Sequence, residues 1–121
     1  MMAAMARTPL REVGTPPDPR FTFANERTFL AWNRTALALI GGGLAAGQLL
    51  EFSSGALRLI VALTPILLGA VLAVVSYRRW EANERALRLG EPLPDGSARW
   101  LTVGIVLIAA VLALAVVIDA T

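Results

Sequence analysis

Hydrophobic and polar positions divide this 121-residue chain into three long apolar stretches, at about residues 31–50, 59–77 and 100–118. Each is near the ~20 residues that a helix rising ~1.5 Å per residue needs to cross a bilayer. The second and third carry no charge and are apolar on all sides, whereas the first holds Arg34 near its start. Helices of a soluble bundle would show a charged outer face. The pattern therefore predicts an all-α integral membrane protein with three transmembrane helices. The polar spacer at 51–58, with Ser53-Ser54-Gly55, is short enough to make the first two helices antiparallel neighbours.

The segments flanking the spans refine this plan. Residues 1–17 hold Pro9, Gly14, Pro16 and Pro17 with little apolar content, and read as a disordered tail. Asp18-Pro19 has the form of a helix start, a capping carboxylate before a proline at the first helical position. An amphipathic lead-in over residues 21–32 follows, with Phe21, Phe23, Phe29 and Trp32 suited to the headgroup boundary. The second span contains Thr64-Pro65, where a kink is expected. Residues 77–89 have no breaker, carry the i,i+4 pairs Glu81–Arg85 and Glu84–Arg88, and end at Gly90, Pro92 and Pro94. The second helix should thus extend beyond the membrane by about 18 Å. Residues 18–121 form a single three-helix domain on this reading.

Charge sets the orientation. All eleven basic residues are arginine; five precede or begin the first span and five lie between the second and third. The first loop has only Arg58, and the C-terminal tail has none. The excess of positive charge places the N-terminus and second loop in the cytoplasm and the C-terminus outside. Residues 1–20 are polar and proline-rich, so no cleaved signal peptide is expected. The net charge of +2 is too weak to argue for a nucleic-acid partner. Arginine-only basic residues and abundant alanine suggest a GC-rich bacterial genome.

The first helix carries a pattern that lipid does not explain. Arg27, Arg34, Gly41 and Gln48 recur at seven-residue steps, with Ala31, Ala38 and Ala45 between them. Such steps return to nearly one side of a helix. The flanking sides carry Leu30, Leu37 and Leu44. Arg34 reads either as snorkelling to headgroups or as part of a guanidinium ring at a pore mouth, with Arg27 as a second ring able to bind phosphate oxygens bidentately. Gln48 reads as an outer pore contact or as polar glue between helices. Gly43 and Gly47 form a GxxxG pair, and Ala38, Gly41 and Gly42 add small residues for helix packing, within one subunit or between subunits. Ala24-Asn25-Glu26-Arg27 recurs as Ala82-Asn83-Glu84-Arg85, so Glu26, Arg27, Glu84 and Arg85 are candidates for a cytoplasmic ion-pair collar.

Enzymatic chemistry finds little support. With no histidine and no cysteine, the commonest general base and thiol chemistry are missing. The nine acidic residues are scattered and form no metal-ligand cluster or plausible triad. No enzyme activity, metal or cofactor is expected.

The run Phe23-Ala24-Asn25-Glu26-Arg27-Thr28-Phe29-Leu30-Ala31-Trp32 is specific. With the glycine-rich first span and the Tyr77-Arg78-Arg79-Trp80 exit of the second, it resembles the YidH-like family, domain of unknown function 202. The resemblance implies a small three-span bacterial inner-membrane protein. It also implies a relationship to the membrane domain of the vacuolar transporter chaperone complex, a polyphosphate polymerase. There, several copies surround a basic path for polyphosphate. The family motif includes Glu26 and Arg27, and the resemblance implies a cytoplasmic ion-pair and anion contact there; Arg34 lies beyond it and rests on the stripe alone. The leading expectation is a homo-oligomeric anion- or polyphosphate-conducting pore subunit in the lipid bilayer, with a phosphate-type anion as its permeant. The alternative is a non-conducting scaffold whose projecting second helix docks a cytoplasmic protein.

Overall fold

A computed structural model describes residues 8–94 and 98–121. The remaining positions of the expected tail, residues 1–7 with Arg7 among them, lie outside the described residues. The architecture is all-α: α1 (Pro19–Leu49), α2 (Gly55–Leu89) and α3 (Ala98–Ala120), preceded by a short 3-10 turn at Leu10–Glu12. No strand occurs among the described residues.

Each long helix begins and ends where its chain chemistry dictates. Asp18 caps α1, its Oδ1 accepting from the Arg20 backbone N–H at 2.9 Å, and Pro19 follows at the first helical position. The Arg20 guanidinium also donates to Asp18, and with that backbone bond holds the Asp18 carboxyl below its usual pKa. The cap is therefore complete above the ordinary carboxylate range and is lost as pH falls through the depressed value. Ser54 caps α2 through its Oγ, which accepts from the backbone N–H of Ala56 and Leu57. Gly90, at φ 68°, ends α2 in the left-handed conformation, and the Glu91 N–H returns to the Ala86 carbonyl. α2 is one continuous helix through the buried Pro65 to Leu89, so its last turns continue past the apolar part.

α2 is the central element. α1 and α3 both pack on it, and among the described residues they make no close backbone approach to each other. The α1–α2 seam is built by small residues at two levels. A Cβ on Gly43 would lie 2.5 Å from the Ala62 carbonyl oxygen, and one on Gly69 would lie 2.7 Å from that of Ala36. Glycine on each helix thus lets the partner backbone come close, which dispersion rewards where lipid gives no hydrophobic drive. Gly47 sits against Ala62 near the α1–α2 turn, in the same seam. The turn between the helices is tied by Arg58, whose Nε donates to the Gly47 carbonyl at 2.8 Å. Asp119 near the end of α3 accepts from Ser53 N–H and Oγ at 2.7 and 2.6 Å, clipping α3 to this turn. Lower on α3, Gly104 packs on Leu68.

Two helices are long and apolar enough to cross a membrane: α2, and residues Arg99–Ala120 of α3. Only 28% and 11% of their apolar windows are buried inside the molecule, so most of that surface needs an apolar solvent. α1 does not reach the same standard, because Arg34, Gln48 and its glycines dilute the leucines between them. The three-span plan is therefore visible here as two strongly apolar helices and one of mixed character.

The described part of the tail, from residue 8 onward, lies along the end of α2. Arg85 Nη2 donates to the Thr8 carbonyl at 2.9 Å, Arg88 Nη1 to the Val13 carbonyl at 3.4 Å, and Thr15 N–H to the Arg88 carbonyl at 3.1 Å. These contacts run through backbone carbonyls and amides rather than through apolar side chains.

The seam predicts opposite outcomes for one chemical change at adjacent positions. Gly43→Ala should destabilise the protein by about 1–3 kcal/mol, because the new methyl group meets backbone. Gly42→Ala, whose Cβ meets nothing within 4 Å, should be neutral or stabilising by up to about 1 kcal/mol. Thermal unfolding in a single detergent measures both; equal shifts would contradict the seam.

Candidate functional site

At the end of the bundle holding the N-terminus of α1 and the C-terminal turns of α2, polar side chains close the seam. Asn25 and Glu84 are both buried, at 8% and 6% exposure. Asn25 Nδ2 donates to Glu84 Oε1 at 3.3 Å and to the Trp80 carbonyl at 3.0 Å. Thr22 Oγ1 donates to Glu84 Oε2 at 3.3 Å, and Asn83 Nδ2 donates to Asn25 Oδ1 at 3.1 Å. Two turns along α1, Asn33 Nδ2 reaches the buried Ser76 Oγ at 3.1 Å. Among the described residues no buried side-chain polar atom is left without a partner. Full satisfaction is what allows such a cluster inside a seam, since an unpaired buried polar group costs far more than a paired one gains.

An aromatic layer separates the two polar levels. Phe29 and Tyr77 each stand 6.1 Å from Trp80, centroid to centroid, and the Arg79 guanidinium lies 4.7 Å from the centre of Trp32. Amphipathic rings gathered at one height suit the boundary between apolar and headgroup regions.

The repeated tetrapeptide does meet, but through its asparagines. Asn25 and Asn83, the equivalent members of the two copies, are bonded to each other. The acidic and basic members diverge, and the expected collar of Glu26, Arg27, Glu84 and Arg85 does not form. Helical phase is the reason. Arg27 stands two residues, or about 200°, round the helix from Asn25, so burying Asn25 turns Arg27 outward. Glu26 and Arg27 are exposed and form no ion pair among the described residues. Glu84 is taken by neutral donors, while Arg85 pairs with Glu81 at 3.2 Å and with the N-terminal strap. The asparagine–glutamate lock was legible only in part: the repeat put Asn25 and Asn83 at the same end, but nothing in it said which member would face inward.

The stripe on α1 is left uncovered by its own chain. Arg27, Ala31, Arg34, Ala38, Gly41, Ala45 and Gln48 are all exposed. They lie opposite Asn25, Ala36 and Gly43, the buried residues of the α2-facing side. The small residues proposed for packing therefore divide. Gly43 and Gly47 pack on α2, whereas Ala38, Gly41 and Gly42 sit on the free surface. Arg34 and Arg27 have no carboxylate partner among the described residues. No group of three or more carboxylates able to hold a metal ion occurs among the described residues.

The family model for a domain of unknown function, DUF202, matches residues 20–86. That range holds α1 and nearly all of α2, and so contains the lock, the aromatic layer and the stripe. This chain belongs to the DUF202 family. The chain is 39% identical over 112 residues to the inner membrane protein YidH of Escherichia coli K12, covering 92% of this chain and 97% of that one. The Shigella flexneri inner membrane protein YidH matches to the same extent. An uncharacterized protein of Mycobacterium tuberculosis is 39% identical over 104 residues, 84% of each chain. No solved structure matches the chain significantly. As a DUF202 member with two strongly apolar, largely unburied helices, it is a membrane protein.

The lock should dominate the energetics of this end of the DUF202 fold. Asn25→Ala strips the buried Glu84 and the Trp80 carbonyl of a donor, and should cost about 1–3 kcal/mol. Glu26→Ala, one residue away and exposed, should stay within about 0.5 kcal/mol. Melting temperatures of the two variants in detergent give the comparison; a larger loss for Glu26→Ala would reverse the assignment of inward and outward faces.

Proposed function

We propose that this protein is an oligomeric subunit of the bacterial inner membrane whose α1 helices, one from each copy, line an axial path for anions. The uncovered stripe carries this reading. Its two guanidiniums, small residues and amide face away from the chain's own α2, and lipid disfavours such a face. A second copy of the same helix suits it better, because small residues permit close approach. Arg27 and Arg34 then form two cationic rings at the cytoplasmic mouth, and Gln48 lies toward the outer end. Guanidinium rings favour anions with paired oxygens, so phosphate-type anions are the preferred permeants. Polyphosphate is the polymer of that class to which the family resemblance points. All three helices span the bilayer, with α1 shielded from lipid by its neighbours, the N-terminus cytoplasmic and the C-terminus outside.

A scaffold reading, with the end of α2 docking a cytoplasmic protein, has less free surface to use. Residues 8–15 already occupy the Arg85 and Arg88 side of that end.

The chain has no cysteine, so single-cysteine variants report proximity without background. Ala38→Cys and Ala45→Cys should yield oxidised dimers in membranes, whereas Leu67→Cys, on the exposed apolar side of α2, should not. In proteoliposomes, Arg34→Gln should lower phosphate-type anion flux on the order of tenfold, the loss of one interaction worth about 1.4 kcal/mol at the barrier. Absence of any flux that depends on Arg34, or of stripe crosslinks, would defeat the pore.

A C-terminal reporter active only in the cytoplasm should be silent in cells, while the same reporter at the N-terminus should be active. The reverse pattern would invert the topology and place the arginine rings at the outer face.

A further inference from the structure

A second feature lies on the flank of α1, between the stripe and the α2 seam. Phe21 and Thr28 of α1, Arg79, Asn83 and Leu87 of α2, and Leu93 of the following loop line an open crevice of about 210 Å³. Arg79 is half-buried and forms no ion pair among the described residues. Its guanidinium is held over the Trp32 ring at 4.7 Å. Stacking occupies one face of the guanidinium and leaves its N–H edges, the part that binds phosphate oxygens bidentately, free to donate.

The rest of the crevice sorts into two chemistries. Asn83 gives one amide hydrogen to Asn25, which leaves a second hydrogen and its carbonyl oxygen. The Thr28 hydroxyl gives its hydrogen to the Ala24 carbonyl and keeps lone pairs to accept with. Phe21, Leu87 and Leu93 supply apolar wall, and Phe21 and Leu93 are 57% and 57% exposed although large and hydrophobic. A free inorganic anion has no use for these walls. An amphiphile with a phosphate, hydroxyls and acyl chains uses all of them. The height agrees, since Trp32 and Trp80 mark the aromatic layer beside which phospholipid phosphates lie.

We propose that this crevice binds one anionic phospholipid, its phosphodiester on Arg79, its headgroup hydroxyls on Thr28 and Asn83, and its acyl region against Phe21, Leu87 and Leu93. The site is on a different face from the stripe and does not depend on conduction. A lipid there wedges the angle between the lead-in of α1 and the end of α2, and so couples the leaflet composition to the helix pair.

The test uses the full chain in nanodiscs of equal phosphatidylglycerol and phosphatidylcholine, with lipids retained after detergent release counted by native mass spectrometry. Wild type should retain phosphatidylglycerol in preference to phosphatidylcholine. Arg79→Gln should reduce that retention on the order of tenfold, or about 1.4 kcal/mol of binding. Arg78→Gln, the exposed neighbour, should leave it unchanged. Because Arg79→Gln also loses its stack on Trp32, Leu93→Asp serves as the second variant. It sets a negative charge at the mouth without touching either helix, and should lower retention as well. Inorganic phosphate at millimolar concentration should not displace the lipid. No preference for the anionic lipid, undiminished retention in both Arg79→Gln and Leu93→Asp, or displacement by inorganic phosphate would each overturn the proposal, the last by assigning the crevice to a free anion.

Discussion

The rotation of α1 about its own axis is set by the Asn25–Glu84 lock, and the rest of the molecule follows from that one angle. Close packing at Gly43 and Gly69 fixes how near the two backbones run. Small-residue contacts alone, however, tolerate sliding and rolling, because apolar surfaces lack direction. Hydrogen bonds from Asn25 to Glu84 and Trp80, from Asn83 to Asn25 and from Asn33 to Ser76 add direction at one end. With these in place, Arg27 and Arg34 have only one way to point, which is away from α2. A rotation of one residue, about 100°, would carry Glu26 toward the place of Asn25 and strand the Glu84 carboxylate.

Different parts of this arrangement were legible in the sequence to different degrees, and the division follows interaction range. Helix ends depend on neighbours a few residues away. Asp18-Pro19 and Gly90 announced their caps because capping is chemistry of one side chain or one backbone angle. The apolar spans of α2 and α3 were equally plain, since lipid imposes a requirement on composition and length alone. The collar of Glu26, Arg27, Glu84 and Arg85 failed because it depended on which residues of two antiparallel helices face each other. The repeat around Asn25 and Asn83 located the meeting point and could not supply the phase. The contacts of residues 8–15 with α2 left no mark in the sequence for another reason. They run from arginine side chains and a backbone N–H to backbone carbonyls, and every residue has a carbonyl.

Arginines clarify one another when taken together. Arg20 completes a helix cap, Arg58 ties the α1–α2 turn, Arg85 and Arg88 hold the strap, Arg79 stacks on Trp32 and Arg99 on Trp100. These six have work within the chain. Arg27 and Arg34 have none among the described residues, although they stand beside the apolar part of the molecule, where a guanidinium without a partner is costly. A charge at a boundary can reach water by extending its stem, and Arg27 lies far enough out to do so. Arg34, a further two turns in, has less room.

The same residues that make α1 fall short as a lone membrane helix are those left without a neighbour. Arg34, Gly41 and Gln48 lower its apolar character, and all three are exposed on the side opposite α2. Two anomalies thus reduce to one. A helix too polar for lipid on one face, and a face unused by its own chain, would both be resolved by the proposed covering of that face with a second copy of the same helix. α3 does not cover it here, since Asp119 ties the end of α3 to Ser53 and Gly104, in its first turns, packs on Leu68. α1 is therefore covered on its α2 side and uncovered on its stripe side. That asymmetry is the physical reason the proposed oligomer is built through α1.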